Sequence, residues 1–361
     1  MRVLFDLGHP GHFHMLKNCI RILDNKGAKV TIAVRERENM IQKLLREGGF
    51  SYYCLLPNTP NLGKKAITLL RNDYRLLRIS KKLKISLFVS MASVCAAHAS
   101  AITGKPHITF ADTEDAKFVL FLAVPFTDVV ITEDSYLGKL PQKKHISLHT
   151  WRPLAYLHPR YFKPSSEILD KLNLSKDDKF FIMRFSAWDA SHDWRIKRDI
   201  GWEDRYKIVK TLEEEGEVLI SSELPLPKHL KKYEIKINPI YFHDLLAFSS
   251  GYIGEGHITA REAIALGKPA ILVSPRGRLE GYNIALERRG FLKIVESYHQ
   301  VTPKLLEFVT QNNNFHEKVD REIKNFVDLT EFFVWFIENY PYSLEQYRRE
   351  KNKIVERFRF G

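Results

Sequence analysis

Short β-branched and aromatic runs alternate with stretches of helical period along most of this chain. Val3–Asp6, Val30–Val34, Tyr52–Leu56, Ile85–Ser90, His107–Phe110 and Val129–Thr132 read as strands. Helices are expected between them, near 12–26, 38–48, 63–83, 93–103 and 115–123. In the first helix Phe13, Leu16, Ile20 and Leu23 share one face, which suits packing on a sheet, and Gly27 stands at its C-cap. Strand–helix alternation with short joints predicts a parallel, doubly wound α/β sheet.

His149–Ser166 breaks the rhythm with prolines and aromatics and reads as a crossing between domains. The alternation then restarts. Phe180–Phe185, Val218–Ser221, Tyr252-Ile253 and Ala270–Val273 read as strands, with helices near 203–214, 226–232, 242–249, 281–289, 302–311 and 315–328. A chain of 361 residues exceeds one comfortable core. The expected organisation is a domain at 1–150, a linker at 151–166, a second domain at 167–330 and a helical tail at 331–361 that packs back on the first domain.

Hydrophobic content of 44% and charged content of 27% are those of a soluble globular protein. Cys19, Cys54 and Cys95 are odd in number, far apart and in apolar surroundings, so they read as reduced thiols of a cytoplasmic protein. MRVLFDLGHPGH is a first strand and its turn, not a signal peptide. The most apolar segment, Phe118–Ile131, is broken by Pro125 and Asp128 and falls short of the roughly 20 residues that span a bilayer. The net charge is +13, but its basic clusters (Lys81-Lys82, Lys143-Lys144, Arg195–Arg198, Lys228–Lys232, Arg348-Arg349) form no single tract. No nucleic-acid motif accompanies them, so nucleic acid is not the expected partner. An anionic surface at the inner face of a membrane remains one.

Four segments carry candidate chemistry. Gly251–Val273 reads as a strand, a loop with Gly254 and Gly256, and a helix bearing Thr259 and, one turn on, Glu262. Such a helix N-terminus can hold phosphate, and the carboxylate can accept bonds from ribose hydroxyls. The alternative is an exposed Glu262 paired with Arg261 or Lys268. Gly8-His9-Pro10-Gly11-His12, at the end of the first strand, offers close backbone approach and an imidazole suited to act as general base or phosphate donor. Its histidines lack the further ligands a metal site needs, so no metal is expected. Asp112-Thr113-Glu114-Asp115 supplies candidate bases, with a helix cap as the competing reading; Thr132–Ser135 repeats that choice. Arg184, before Ser186-Ala187-Trp188-Asp189, can meet a diphosphate, and Ser191–Arg198 is a candidate lid or a solvated basic loop. Asn283, opening a helix after Gly281, is a further candidate for the same cleft.

Gly256-His257-Ile258-Thr259-Ala260-Arg261-Glu262-Ala263 followed by Leu266-Gly267-Lys268-Pro269 resembles the donor-binding motif of GT-B glycosyltransferases. It is similar both to the GlcNAc transferase that makes lipid II and to the UDP-GlcNAc 2-epimerases. The Gly8…Gly11-His12 loop resembles the transferase's N-terminal glycine-rich loop, and Asn283-Ile284-Ala285 its downstream Asn-Ala. The whole chain looks like a prokaryotic family of GT-B-like proteins of unassigned function.

The resemblance implies a GT-B fold, two Rossmann-like domains facing across a cleft. Glu262 would hold the ribose of a UDP-type nucleotide; Gly256, His257 and Thr259 would hold the diphosphate; His12 would lie near the reacting centre, with Asp112 or Glu114 as the other candidate bases. It implies a metal-independent glycosyltransferase without a cofactor, moving sugar from a nucleotide-sugar donor to a glycan or lipid-linked acceptor. There are departures: the transferase's second glycine-rich loop is not evident, and Arg184–Asp189 replaces the epimerase's His-Arg-x-Glu-Asn. The epimerase's acids have only loose counterparts in Glu114 and Glu133. The rival readings are a sugar-nucleotide 2-epimerase and a non-catalytic basic binding protein on the same fold.

Overall fold

A computed structural model describes residues 1–35, 40–57, 62–114, 116–186 and 201–361. The chain divides into two compact units, Met1–Tyr156 with Asn325–Gly361, and Leu157–Lys324.

Among its described residues the first unit has seven strands: β1 (Arg2–Leu7), β2 (Lys29–Arg35), β3 (Tyr53–Leu55), β4 (Leu87–Met91), β5 (His107–Phe110), β6 (Val129–Glu133) and β7 (His145–Leu148). All pair in parallel, in the order β3-β2-β1-β4-β5-β6-β7. The central strands are buried along their length, with Leu4, Phe5, Phe88, Val89 and Val130 wholly inaccessible, because helices cover both faces of such a sheet. The order reverses between β1 and β4. Carboxyl ends at such a reversal leave the crevice where doubly wound sheets bind ligands.

The second unit repeats the plan with β8 (Phe180–Phe185), β9 (Glu217–Ser222), β10 (Gly251–Gly254), β11 (Ala270–Val273) and β12 (Leu292–Val295), ordered β12-β11-β10-β8-β9 and parallel throughout. Here the order reverses between β8 and β10.

Local chemistry explains the element ends. Helix Pro10–Asn25 buries Phe13, Leu16, Ile20 and Leu23; Lys26 is its C-cap and Gly27 follows at φ +85°, the left-handed position that favours glycine. The helix expected near 226–232 is replaced by a single 3-10 turn, Lys231–Tyr233; Pro225 and Pro227 disfavour helical backbone at Leu224 and Leu226. The helix expected over 315–328 stops at Ile323, and Asp328 caps the next helix, Leu329–Glu338, accepting from the amides of Thr330 and Glu331.

Residues 151–156, part of the expected linker, are buried and belong to the first unit, with Leu154, Ala155 and Tyr156 inaccessible. The C-terminal segment completes that unit. Val327 donates to the His149 carbonyl, the Thr330 hydroxyl to the Ala155 carbonyl, and Phe333 packs on Phe110. Among the described residues no helix is long and apolar enough to cross a membrane.

Candidate functional site

In the second unit β8 and β10 run side by side, with Gly254 opposite Arg184. A Cβ on Gly254 would lie 2.5 Å from the Arg184 carbonyl oxygen, so the close approach of the two backbones requires glycine. Gly256 caps helix His257–Ala265 without a side-chain hydrogen bond; its own N–H donates to the Tyr252 hydroxyl at 3.1 Å. The first turn of the helix is thus left without a side-chain cap, with the positive end of its dipole at the carboxyl edge of the sheet. Thr259 sits in that turn, mostly buried.

One turn on, Glu262 is buried, with Oε1 3.1 Å from His243 Nε2. It is therefore not the exposed carboxylate of the alternative reading. Arg261 lies over the Tyr282 ring, 3.5 Å from its centroid. Burial lowers the Lys268 ammonium from its usual range.

Both ring nitrogens of His257 are engaged, Nδ1 with Glu280 Oε2 and Nε2 with Ser274 Oγ, each at 2.8 Å. Glu280 also accepts from the Tyr282 hydroxyl and from Asn283 Nδ2. Burial pushes its carboxyl up, yet the His257 bond and charge hold it below the usual range. His257 therefore ties the helix to the segment after β11. Asn283 belongs to the same tie: it is wholly buried, and its amide donates to the Gly277 carbonyl at 3.0 Å. Arg184 is half-buried over Phe242, and its guanidinium pairs with Glu223 at 2.9 Å.

Glu255, between the two loop glycines, escaped the sequence reading. It is buried and accepts from Arg205 at 2.6 Å and from the Ser186 amide at 2.8 Å. Arg205 is ringed by Phe185, Trp202 and Tyr298, the last 4.1 Å from it. One carboxylate so clamps the ends of β8 and β10 together. A glutamate flanked by glycines in a turn was the available signal. Ala187–Asp189 and Ser191–Arg198 lie outside the described residues, as does Asp115.

In the first unit the β1 end gathers several predicted residues. His9 caps helix Pro10–Asn25, its Nδ1 accepting the Gly11 amide at 3.1 Å. The Gly8 amide donates to His12 Nδ1 at 3.2 Å. Burial first, then His9, Arg152 and Arg35, hold His12 well below the ordinary imidazole range. The ring is neutral at pH 7, and with Nδ1 accepting, its proton sits on Nε2. His12 is a donor at that atom.

Arg152 forms an ion pair with Asp112, and its amide donates to Glu133 Oε1 at 2.7 Å. A Cβ on Gly11 would lie 3.5 Å from its guanidinium. Gly8, Gly11, His12 and Asp112 thus meet around Arg152 and Arg35. Glu114 is buried and accepts the Leu137 amide at 3.0 Å. The helix-cap alternatives fail. The N-cap of Lys117–Ala123 is Ala116, with no side-chain bond, and among the described residues no helix lies between β6 and β7.

Arg35 and Ser93 were also missed, and Asp6 entered the sequence reading as the end of the first strand. Asp6 is wholly buried, accepts from the Ser93 hydroxyl and lies 3.8 Å from Arg35. Ala92 beside them takes φ +50°, a strained value for a residue with a Cβ, at the carboxyl end of β4. Among the described residues, no three His, Cys, Asp or Glu side chains are grouped to hold a metal.

A family model described as "Protein of unknown function (DUF354)" matches residues 1–334. No curated protein matches the sequence. Solved structures do resemble the fold. A UDP-GlcNAc 2-epimerase from Neisseria meningitidis bound to UDP-GlcNAc superposes with TM-score 0.64 at 12% identity, covering 96% of this chain and 100% of the epimerase. MurG of Acinetobacter baumannii gives 0.59 at 16% identity over 93% and 99%. The spinosyn forosaminyltransferase SpnP gives 0.58 at 15% over 98% and 99%. These likenesses establish the GT-B fold class.

Proposed function

The chain belongs to the DUF354 family, and on that premise we propose that this member is a metal-independent glycosyltransferase that takes its sugar from a UDP-type nucleotide-sugar. The observation that carries the reading is the second unit's glycine loop, uncapped helix start and buried Glu262, in register at the β8/β10 reversal. In this reading the amides of His257–Thr259 and the Thr259 hydroxyl receive the diphosphate. Glu262, oriented by His243, accepts from the ribose hydroxyls.

Developing charge on the leaving diphosphate is met by the helix start and by basic side chains rather than by a divalent ion. On the first unit, Asp112 is the group assigned to take the acceptor hydroxyl's proton, since His12 already carries its proton at Nε2 and acts as donor. Solved structures of like fold include one bound to UDP-GlcNAc, which supports this choice of donor class. The acceptor is a glycan or lipid-linked hydroxyl.

Calorimetry with UDP tests the donor site. Glu262→Gln removes a charge-assisted bond, typically about 1.5–3 kcal/mol, so Kd should rise by roughly ten- to a hundred-fold with the thermal midpoint nearly unchanged. Equal affinity of variant and parent would end the assignment. Incubation with UDP-GlcNAc in D2O without acceptor tests the reaction. Conversion to the manno epimer with deuterium at C2 would replace transfer by 2-epimerisation.

A further inference from the structure

Three helices of the first unit carry an apolar surface that the site does not use. Helix Leu62–Leu83 packs beside helix Val94–Thr103, which packs beside helix Lys117–Ala123. Leu69 of the first and Leu122 of the third meet over Val94 and Ala97 of the second. His98 of the second helix bonds Asp73 of the first at 2.8 Å, and its ring lies 5.2 Å from that of Phe126, just beyond the third helix.

On the solvent side of this layer stand Leu70, Tyr74, Ile102, Phe118 and Phe121, with Phe118 and Phe121 each 73% exposed. Leu70 and Tyr74 share a helix stripe with Ile67, as Phe118 does with Phe121. Single exposed apolar residues need no explanation, whereas a group spread over three adjoining helices does.

The charge around it has one sign. Helix Leu62–Leu83 carries seven basic residues and one acid, Asp73, which is occupied by His98. Helix Val94–Thr103 has no charged residue, and Lys117 is the only one on helix Lys117–Ala123. Arg71, Arg75, Lys81 and Lys82 are exposed. Protruding aromatic and aliphatic tips bordered by lysine and arginine match the boundary between anionic headgroups and acyl chains, which takes apolar side chains to a shallow depth and holds cations at the phosphate level. A nucleic acid would use the cations but has no place for Leu70, Ile102 and two phenylalanines.

We propose that this three-helix face docks the protein on an anionic lipid bilayer, with Phe118 and Phe121 inserted and the basic face of helix Leu62–Leu83 against the headgroups. The inference stands apart from the nucleotide-sugar reading, because it uses none of that site's residues.

Flotation of the full chain with phosphatidylglycerol–phosphatidylcholine vesicles, against phosphatidylcholine alone, tests it. The protein should float with the anionic vesicles only, and raised salt should release it. Phe118→Ser with Phe121→Ser removes exposed side chains, so unchanged circular dichroism is expected while the bound fraction at fixed lipid drops at least about ten-fold. Arg71→Glu with Arg75→Glu should do likewise. Absence of flotation, equal flotation of either variant, or light scattering showing that the parent is a dimer which Phe118→Ser with Phe121→Ser dissociates would each overturn the proposal. Tight duplex DNA binding lost with the arginines but kept by the phenylalanine variant, without flotation, would overturn it in favour of a nucleic-acid surface.

Discussion

Removing Glu255 should unfold part of the second unit at far lower denaturant than any surface change, and the structure supplies the magnitude. Its carboxylate and the Arg205 guanidinium are each 4% exposed or less, 2.6 Å apart, and the same carboxylate receives the Ser186 amide. Glu255→Ala strands a buried cation among Phe185, Trp202 and Tyr298. Breaking one side of such a pair costs about 3–5 kcal/mol, whereas replacing both sides with apolar groups is often near neutral. Arg205→Met supplies a flexible thioether that suits those rings. The doubly substituted protein, Glu255→Ala with Arg205→Met, should therefore be more stable than Glu255→Ala alone, with a coupling energy of roughly 2 kcal/mol or more. Urea unfolding followed by circular dichroism and tryptophan fluorescence measures all four proteins. Strict additivity of the two single changes would refute the idea that the pair, rather than each residue's packing, holds the ends of β8 and β10.

Two further outcomes concern a buried imidazole and the three thiols. His107 is inaccessible, bonded to Ser90 at 2.8 Å and Thr127 at 3.0 Å, and burial pushes its imidazole down to about 3 from 6.5. The unfolded chain alone takes up that proton below pH 6.5, so stability is intact above this pH and is lost as pH falls toward 3, by about 2 kcal/mol at pH 5. His107→Asn should flatten the slope of urea midpoint against pH between 6.5 and 5, and identical slopes would contradict the assignment. For the thiols, Cys19 and Cys95 are buried and burial raises both, while Cys54 is exposed. Native protein should give one fast thiol with an aromatic disulfide reagent and three in urea, and Cys54→Ser should abolish the fast one.

The central strands were legible because burial on both faces writes them as unbroken apolar runs, such as Val129–Ile131 and Ala270–Val273. The edge strands β7 and β12 were not read, since in HISL and LKIV only alternate residues are buried and the runs are short. The glycine loops after β1 and β10 could be found because local backbone demands glycine there. Their partners could not. Arg35 comes from β2, Ser93 from the turn after β4 and Arg152 from beyond β7, so each reaches the β1 loop only through the strand order; within the second unit His243 reaches Glu262 from the helix before β10 through helix packing. Asn283 was read from its position in a motif, but motif position does not fix direction, and its side chain turns into the interior.

The return of residues 325–361 to the first unit has a consequence for synthesis. Helix Pro10–Asn25 packs against helix Leu329–Glu338, and Lys26 meets Glu338 at 2.8 Å. A nascent chain that has emerged only as far as Lys324 holds every strand of both sheets, yet one flank of its earliest helix still faces water. The half of the protein that is translated first is thus the half that is finished last, and until then it presents a sticky apolar flank to chaperones and to other nascent chains.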